Sequence, residues 1–300
     1  MIKFVNAKIN IGLQIVGRRQ DGYHNLQTLF YPVGLYAGSS SNPEVFCDIL
    51  EVIPSSGMDF TLKMLGNQVD CPMEKNLVWR AADIFFSNGV PEGFGASLIL
   101  DKHLPDGAGL GGGSADAAFT LLALREEARN YADRQRKSWQ PPTDRQLMAL
   151  ALKLGADCPF FIYNRAAYAE GVGELLKPVD LDLHGYFLVV VKPFVSVSTR
   201  EAFAGVRPAP SSFDLRCLPE IPVSQWRDCV FNDFEKSIFP AFPAIRDIKA
   251  GLYDCGAEYA SLTGSGACVY GIYRDRDVAL EAMSVLRMVP TIKAVKLLQL

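Results

Sequence analysis

The segment Pro105-Asp106-Gly107-Ala108-Gly109-Leu110-Gly111-Gly112-Gly113-Ser114-Ala115 puts five glycines into the seven residues from Gly107 to Gly113. Glycine accepts left-handed backbone and carries no Cβ, so successive main-chain N–H groups can converge on an anion. Directly behind the loop, Ala117, Ala118, Leu121, Leu122 and Leu124 mark one face of a helix. Its positive end would add to such a cradle, and Asp116 is expected to suit its first turn electrostatically. A flexible surface linker is the competing reading, but a linker does not run straight into an amphipathic helix. Ser114, at the junction, could offer its hydroxyl to a metal ion on a bound phosphate or could cap the helix. The chemistry on offer is phosphate binding.

Two familiar phosphate motifs come close and fail. Gly107-x-Gly109-x-x-Gly112 satisfies the dinucleotide fingerprint, with Glu126 or Glu127 about twenty residues on. However, the preceding strand ends near Lys102, a proline intervenes, and the acid belongs to the same helix rather than to a second strand. Gly107-x4-Gly112 followed by Gly113-Ser114 is one residue from a Walker A loop, but Gly113 occupies the place of the phosphate-gripping lysine.

Such a loop needs strands and helices to hold it. Ile2 to Val16 reads as a strand pair or one long bent strand, broken by a turn over Gly17 to Gly22. Val45 to Ile53, Phe60 to Leu65 and Ala96 to Leu100 read as strands, and Asn76 to Phe86 has helical apolar spacing. The polar stretch Glu126 to Pro142 reads as a surface excursion. Beyond a boundary near Pro178, strands are expected at Tyr186 to Val191, Ala267 to Tyr273 and Ile292 to Leu298, and a helix at Val278 to Met288. The mixture points to an α+β fold in two domains, residues 1–179 and 180–300.

The chain has 300 residues, with 30 Lys+Arg against 33 Asp+Glu and a net charge of −3. That balance provides no basic field for nucleic acid or anionic lipid. The clean apolar runs are far shorter than a membrane span requires. Lys3, Asn6, Lys8 and Asn10 interrupt any signal-peptide core, and the seven cysteines form no C-x-x-C pair. A cytoplasmic protein with small, reduced core cysteines is expected.

The loop pattern Pro-x-Gly-x-Gly-Leu-Gly-x-x-Ser resembles the ATP loop of the GHMP kinases. Within that superfamily, Asn6-Ala7-Lys8-Ile9-Asn10-Ile11-Gly12-Leu13 and Gly17 to Phe30, with its Asp21-Gly22-Tyr23-His24, resemble the 4-diphosphocytidyl-2-C-methyl-D-erythritol kinase branch of the non-mevalonate isoprenoid pathway. So do Asn76 to Ala82, Leu154 to Phe161, Ala169 to Glu174, Asn232-Asp233-Phe234-Glu235 and Leu262 to Cys268. The longer connection between Ala123 and Asp157 and the loop at Ser39 to Pro43 depart from the branch's usual pattern, away from its motifs.

The resemblance implies a ribosomal S5 domain 2-like N-terminal domain, a ferredoxin-like C-terminal domain, ATP as co-substrate and Mg2+ with the nucleotide. It places ATP at Pro105 to Ala115, with Asn76 and Lys102 as further nucleotide-side residues and Ser114 as a metal contact. It nominates Lys8 and Asp157 as the catalytic pair on the acceptor hydroxyl. A lysine beside an aspartate keeps the carboxylate ionised and can share the hydroxyl's proton. Taken alone, Lys8 could be a solvated strand lysine, and Asp157 a capping or turn residue between a helix and a strand. Asn10 would share a strand face with Lys8. Tyr23 and Phe203 would sandwich a cytosine beside His24, although Phe203 could be a core aromatic. Thr199, Gly264 and Ser265 complete the substrate side, where Thr263 to Gly266 could equally be a tight turn. His24 has no partner at metal-ligand spacing.

The implied partners are small molecules, ATP and a CDP-linked methylerythritol, acting on a monomer or weak homodimer. Another GHMP kinase activity or a non-catalytic ligand sensor on the same fold are the alternatives.

Overall fold

The computed structural model describes residues 1–34 and 46–300. The Ser39 to Pro43 loop and the first residue of the strand expected from Val45 lie outside them. The first strands are β1 (Ile2–Val5), β2 (Ala7–Arg18), β3 (His24–Val33), β4 (Asp48–Ser56) and β5 (Phe60–Gly66). Then follow α1 (Leu77–Ser87), β6 (Phe94–Lys102), α2 (Gly112–Gln135), α3 (Asp144–Leu152), α4 (Cys158–Tyr163), β7 (Ala167–Glu170) and β8 (Leu175–Pro178). The rest are β9 (Phe187–Pro193), α5 (Thr199–Ala204), α6 (Glu235–Ala241), α7 (Pro243–Asp254), β10 (Tyr259–Leu262), β11 (Val269–Tyr273), α8 (Arg276–Arg287) and β12 (Ile292–Gln299).

Two compact units emerge, and neither is a continuous stretch of chain. Unit one comprises Met1–Ala7, Cys47–Asp106 and Gly111–Asn164; unit two comprises Lys8–Phe46, Gly107–Leu110 and Arg165–Leu300. The boundary expected between 179 and 180 falls inside unit two. Strand pairing joins segments remote in sequence, which composition along the chain does not register.

In unit one the sheet order is β1-β4-β6-β5, with β5 and β6 parallel and the other pairs antiparallel. Helix α1 buries Val78, Ala81, Ala82 and Phe85, the i, i+3, i+4, i+7 stripe that gives it a core face. Asn76 caps it, its Oδ1 accepting from Val78 N at 2.9 Å. Helix α2 starts at Gly112, so the last glycines of the loop are already helical, and it runs to Gln135. Most of the polar excursion is therefore the outer part of α2, where only a narrow stripe (Glu127, Ala128, Ala132) is buried. Asp116 is the fifth residue of α2 and is buried, so it does not serve the first turn as expected.

In unit two, β2, β3, β7 and β8 form one sheet in that order, and a second has the order β10-β11-β9-β12. The second sheet carries α7 between β9 and β10 and α8 between β11 and β12. That βαββαβ arrangement is ferredoxin-like. Its faces bury Val189, Val191, Leu262 and Val269 with Ile248 and Leu252 of α7 and Ala282 and Leu286 of α8. Strand β2 is buried from Ala7 through Ile15 on both faces, so no clean alternation survives and Lys8, Asn10 and Gln14 are enclosed with their apolar neighbours. The Ile2–Val16 region is two strands in two different sheets.

Of the seven cysteines, all free, Cys47, Cys158 and Cys268 are buried as expected, whereas Cys71 and Cys217 are exposed. Tyr270 donates to the main-chain carbonyl of Asn10 at 2.8 Å inside unit two. Tyr270→Phe removes this buried hydrogen bond without opening a cavity and should destabilise the protein by about 1 kcal/mol. Chemical denaturation with an unchanged m-value is the check, and an equally stable variant would show that the bond is dispensable.

Candidate active site

Lys8 and Asn10 leave β2 on the same side, two residues apart. The Lys8 ammonium, 3% exposed, donates to Asn10 Oδ1 at 2.6 Å and to the Gly109 carbonyl at 3.0 Å, and it stands 5.0 Å from the Phe30 ring centroid. Burial in an apolar strand would disfavour the charge, and carbonyl oxygens with a ring face offset that cost. Asn10 Nδ2 donates to Thr28 Oγ1 at 3.0 Å, and Asn10 N donates to Thr263 Oγ1 at 3.2 Å. The Thr263 hydroxyl in turn donates to the Gly109 carbonyl at 3.0 Å. Lys8 N also donates to Leu110 O at 2.9 Å, so the glycine-loop segment 107–110 is docked along the start of β2. Gly109 has φ +75, and a Cβ there would run into the main-chain carbonyl of Thr263. Only glycine permits that approach.

The Thr263 to Gly266 turn is held from outside the motif. Asn232 Nδ2 donates to the carbonyls of Leu262 and Gly264, both at 2.9 Å, while its Oδ1 accepts from Phe234 N. Glu235 Oε1 accepts from Leu262 N at 3.0 Å. Asn232, Glu235, Thr28 and Thr263 all lie in segments that carry the family resemblance, but none of them is among the site residues that the sequence nominates. Asn232 and Glu235 matter through contacts with main chain 27 to 32 residues away, which spacing does not disclose. Gly264 packs on Gly109 and Asn10, and Ser265 beside it is half-buried.

The aromatic residues differ from the expected sandwich. Tyr23 is 65% exposed, and the face of Phe203 is covered by His24, with ring centroids 4.8 Å apart and an interplanar angle of 18°. Phe203 also meets Phe234 edge-on at 4.8 Å. His24 supplies the ring that lies on Phe203. Thr199 is exposed at the first position of α5, which Ser198 caps.

In unit one, Gly111 adopts φ +71 and launches α2, leaving that helix without a side-chain cap. Ser114 is the third helical residue and not the cap; its hydroxyl lies beside the Cys158 thiol, which burial pushes up to about 11 against that hydrogen bond. Asn76 is occupied as the α1 cap and donates to Met64 Sδ at 3.7 Å. Asp157 precedes α4 in helical backbone and makes no side-chain capping hydrogen bond, so the capping reading fails. It joins two helices, α3 and α4, rather than a helix and a strand. Among the described residues no group of three His, Cys, Asp or Glu could hold a metal ion.

Lys102 lies 4% exposed between two carboxylates: it pairs with Asp48 Oδ2 and with Asp116 Oδ2, the latter at 2.7 Å. Asp48 Oδ1 accepts from His103 N at 2.6 Å and Leu104 N at 2.8 Å. One ammonium cannot compensate two buried carboxylates, and Asp116 Oδ1 has no hydrogen-bond partner. Burial, opposed by Lys102 and reinforced by Asp48, pushes the Asp116 carboxyl up from 3.8 to about 8. Despite its burial Lys102 is held above its ordinary value by Asp116 and Asp48.

A carboxyl whose folded pKa lies above its unfolded one contributes stability that is complete below the unfolded value and lost as pH rises through the folded value. Wild-type stability should therefore fall, through this group, from about pH 4 to about pH 8. Asp116→Asn should gain on wild type across that window, as read by urea unfolding at several pH values. Parallel stability curves for the two proteins would refute the assignment.

The sequence matches the GHMP kinases N terminal domain over residues 76–165 and the GHMP kinases C terminal domain over residues 216–287. It is 44% identical over 276 residues, covering 91% of this chain and 92% of the relative, to a 4-diphosphocytidyl-2-C-methyl-D-erythritol kinase of Bacteroides fragilis. A kinase of the same description from Chlorobium limicola is 37% identical over 94% of this chain and 91% of its own length. Among solved structures, a 4-(cytidine 5'-diphospho)-2C-methyl-D-erythritol kinase superposes with a TM-score of 0.78 at 32% identity, covering 100% of this chain and 99% of the other. Homoserine kinase from Cytophaga hutchinsonii, at 18% identity and a TM-score of 0.64, shares the fold. With its glycine loop, its ferredoxin-like sheet and relatives matched along nearly their whole length, the chain belongs to the 4-diphosphocytidyl-2-C-methyl-D-erythritol kinase family of the GHMP kinases.

Proposed function

We propose that this protein transfers the γ-phosphoryl group of ATP to the 2-hydroxyl of 4-diphosphocytidyl-2-C-methyl-D-erythritol, giving the 2-phosphate and ADP. The observation that supports it most is the enclosed Lys8 ammonium, tied at once to Asn10 and to the Gly109 carbonyl of the glycine loop. A charge so placed serves phosphoryl transfer, in which positioning and electrostatic stabilisation carry most of the catalysis.

In this reading the N–H groups of the loop from Gly107 to Ala115 hold the triphosphate, aided by the positive end of α2. Pro105 and Asp106 lead the chain into it. Asp157 orients the acceptor hydroxyl and takes its proton as the oxygen–phosphorus bond forms and the bond to the ADP oxygen breaks. Lys8 stabilises the charge on the acceptor oxygen, and Asn10 fixes the ammonium. Ser114 offers a hard hydroxyl oxygen in the first turn of α2, a donor suited to Mg2+ that arrives on the nucleotide. The ion would supply charge compensation on the phosphates. On the cytidine side Tyr23, His24, Phe203, Thr199, Gly264 and Ser265 are the binding residues, with the His24–Phe203 stack as a ready aromatic platform. Asn76 and Lys102 serve the nucleotide side through the elements they hold. The net charge of −3 suits a small-molecule ligand. No helix among the described residues is long and apolar enough to cross a membrane.

Asp157→Asn is nearly isosteric and should fold and bind both substrates yet lose about 10²–10⁴ in kcat, the contribution of a positioned base. A loss nearer tenfold would assign Asp157 to orienting the hydroxyl. Unchanged kcat at saturating substrates removes it from the mechanism. Lys8→Met keeps the stem and removes the charge; turnover within about threefold of wild type would make Lys8 structural only. An ATP-consumption assay across alcohols with and without the CDP moiety tests the substrate.

For the platform, Phe203→Ala should weaken the cytidine ligand by about 1–3 kcal/mol, by analogy with bases stacked on aromatics, and leave ATP affinity unchanged. Calorimetry showing equal cytidine affinity would overturn that placement.

A further inference from the structure

The buried cluster of Asp48, Lys102 and Asp116 reaches both ends of the glycine loop. At the incoming end, Asp48 Oδ1 takes the N–H groups of His103 and Leu104, the two residues before Pro105. At the outgoing end, Asp116 projects from the second turn of α2 onto the Lys102 ammonium. Lys102, the last residue of β6, bonds Asp48 and Asp116 together, and Gly112 at the start of α2 lies over it, a Cβ there coming within 3.5 Å of the ammonium. A cation under the positive end of a helix is electrostatically unfavourable on its own. Two carboxylates converge on it, more than its charge requires, and an orphaned oxygen on Asp116 remains. A stability-driven core would hold one pair, or an apolar group, at this place.

We infer that Asp48, Lys102 and Asp116 form a clamp that fixes the spacing between the two ends of the glycine loop and thereby positions it for the nucleotide's phosphates. The three are positioning residues: they act on ATP through the loop. The inference rests on the reading that the loop holds ATP, and it adds a reason for the second carboxylate. One ammonium with two acceptors ties two elements, β4 and α2, where a single pair would tie one.

Asp116→Leu keeps roughly the volume and leaves Lys102 and Asp48 as a matched pair, so the fold should persist while the tie to α2 is lost. The expected result is a melting temperature near that of wild type, KM for ATP raised at least about fivefold, and kcat and the alcohol KM within about twofold. Asp116→Asn, which keeps an oxygen for Lys102, should rescue KM for ATP. Asp48→Asn tests the other end, because its amide turns a donor toward the ammonium while still accepting from His103 and Leu104. Folded Asp116→Leu and Asp48→Asn with unchanged KM for ATP overturn the clamp. Gly111→Val is the reference for the loop itself: retained ATP affinity there overturns the loop reading, whereas its loss beside an unaffected Asp116→Leu overturns only the clamp. Hydrogen exchange on the wild-type protein supplies an arm that does not depend on variants. The amides of His103 and Leu104 should open together with the first turn of α2 and be protected together by ATP; independent opening refutes the inference.

Discussion

An ammonium enclosed in a strand with apolar neighbours is the constraint from which much of unit two follows. Lys8 must be surrounded by acceptors, and two of them are an amide oxygen two residues along the same strand and a main-chain carbonyl about a hundred residues later. For that carbonyl to arrive, the loop has to come close at Gly109, where any side chain would meet the backbone of Thr263. Thr263 therefore has to be placed too, and Asn232 and Glu235 place it by binding the main chain on either side. One desolvated charge thus sets the demands on a strand, a loop and a turn. Its ring contact with Phe30 belongs to the same requirement, since a π-face is one of the few apolar surfaces that favours a cation.

Unit one solves the same problem differently. Lys102 is enclosed by the carboxyl groups of Asp48 and Asp116, and burial beside Asp48 raises the Asp116 carboxyl to about 8, so that it takes up a proton and relieves the excess negative charge. The Lys8 ammonium meets the oxygens of Asn10 and Gly109, while the Lys102 ammonium meets the side chains of Asp48 and Asp116.

The glycine loop also separates two uses of glycine. At Gly109 the missing Cβ permits close approach; at Gly111 the left-handed backbone turns the chain into α2. Gly112 and Gly113 lie within the helix itself, where the helix tolerates them at some cost in stability. A row of glycines that looks uniform in sequence divides into distinct structural duties.

Local chemistry alone determined a good part of this protein. The loop was legible because consecutive glycines ahead of an Ala/Leu stripe have few other uses, α1 and α8 because of their helical apolar spacing, and β9 and β11 because short unbroken apolar runs suit buried strands. The Lys8–Asn10 face followed from the two-residue period of a strand. What only the tertiary structure decided depends on contacts remote in sequence. Burial on both faces of β2 erased its alternation, and strand pairing across the chain dissolved the 179/180 boundary. His24 and not Tyr23 stands on Phe203, because stacking is settled by side-chain direction and not by the identity of neighbours. Asp116, taken from its position as a first-turn acid, proved to be a buried partner of Lys102. A helix carries no sign in its sequence of which face will meet another charge, and that choice is made only when β4, β6 and α2 are packed together.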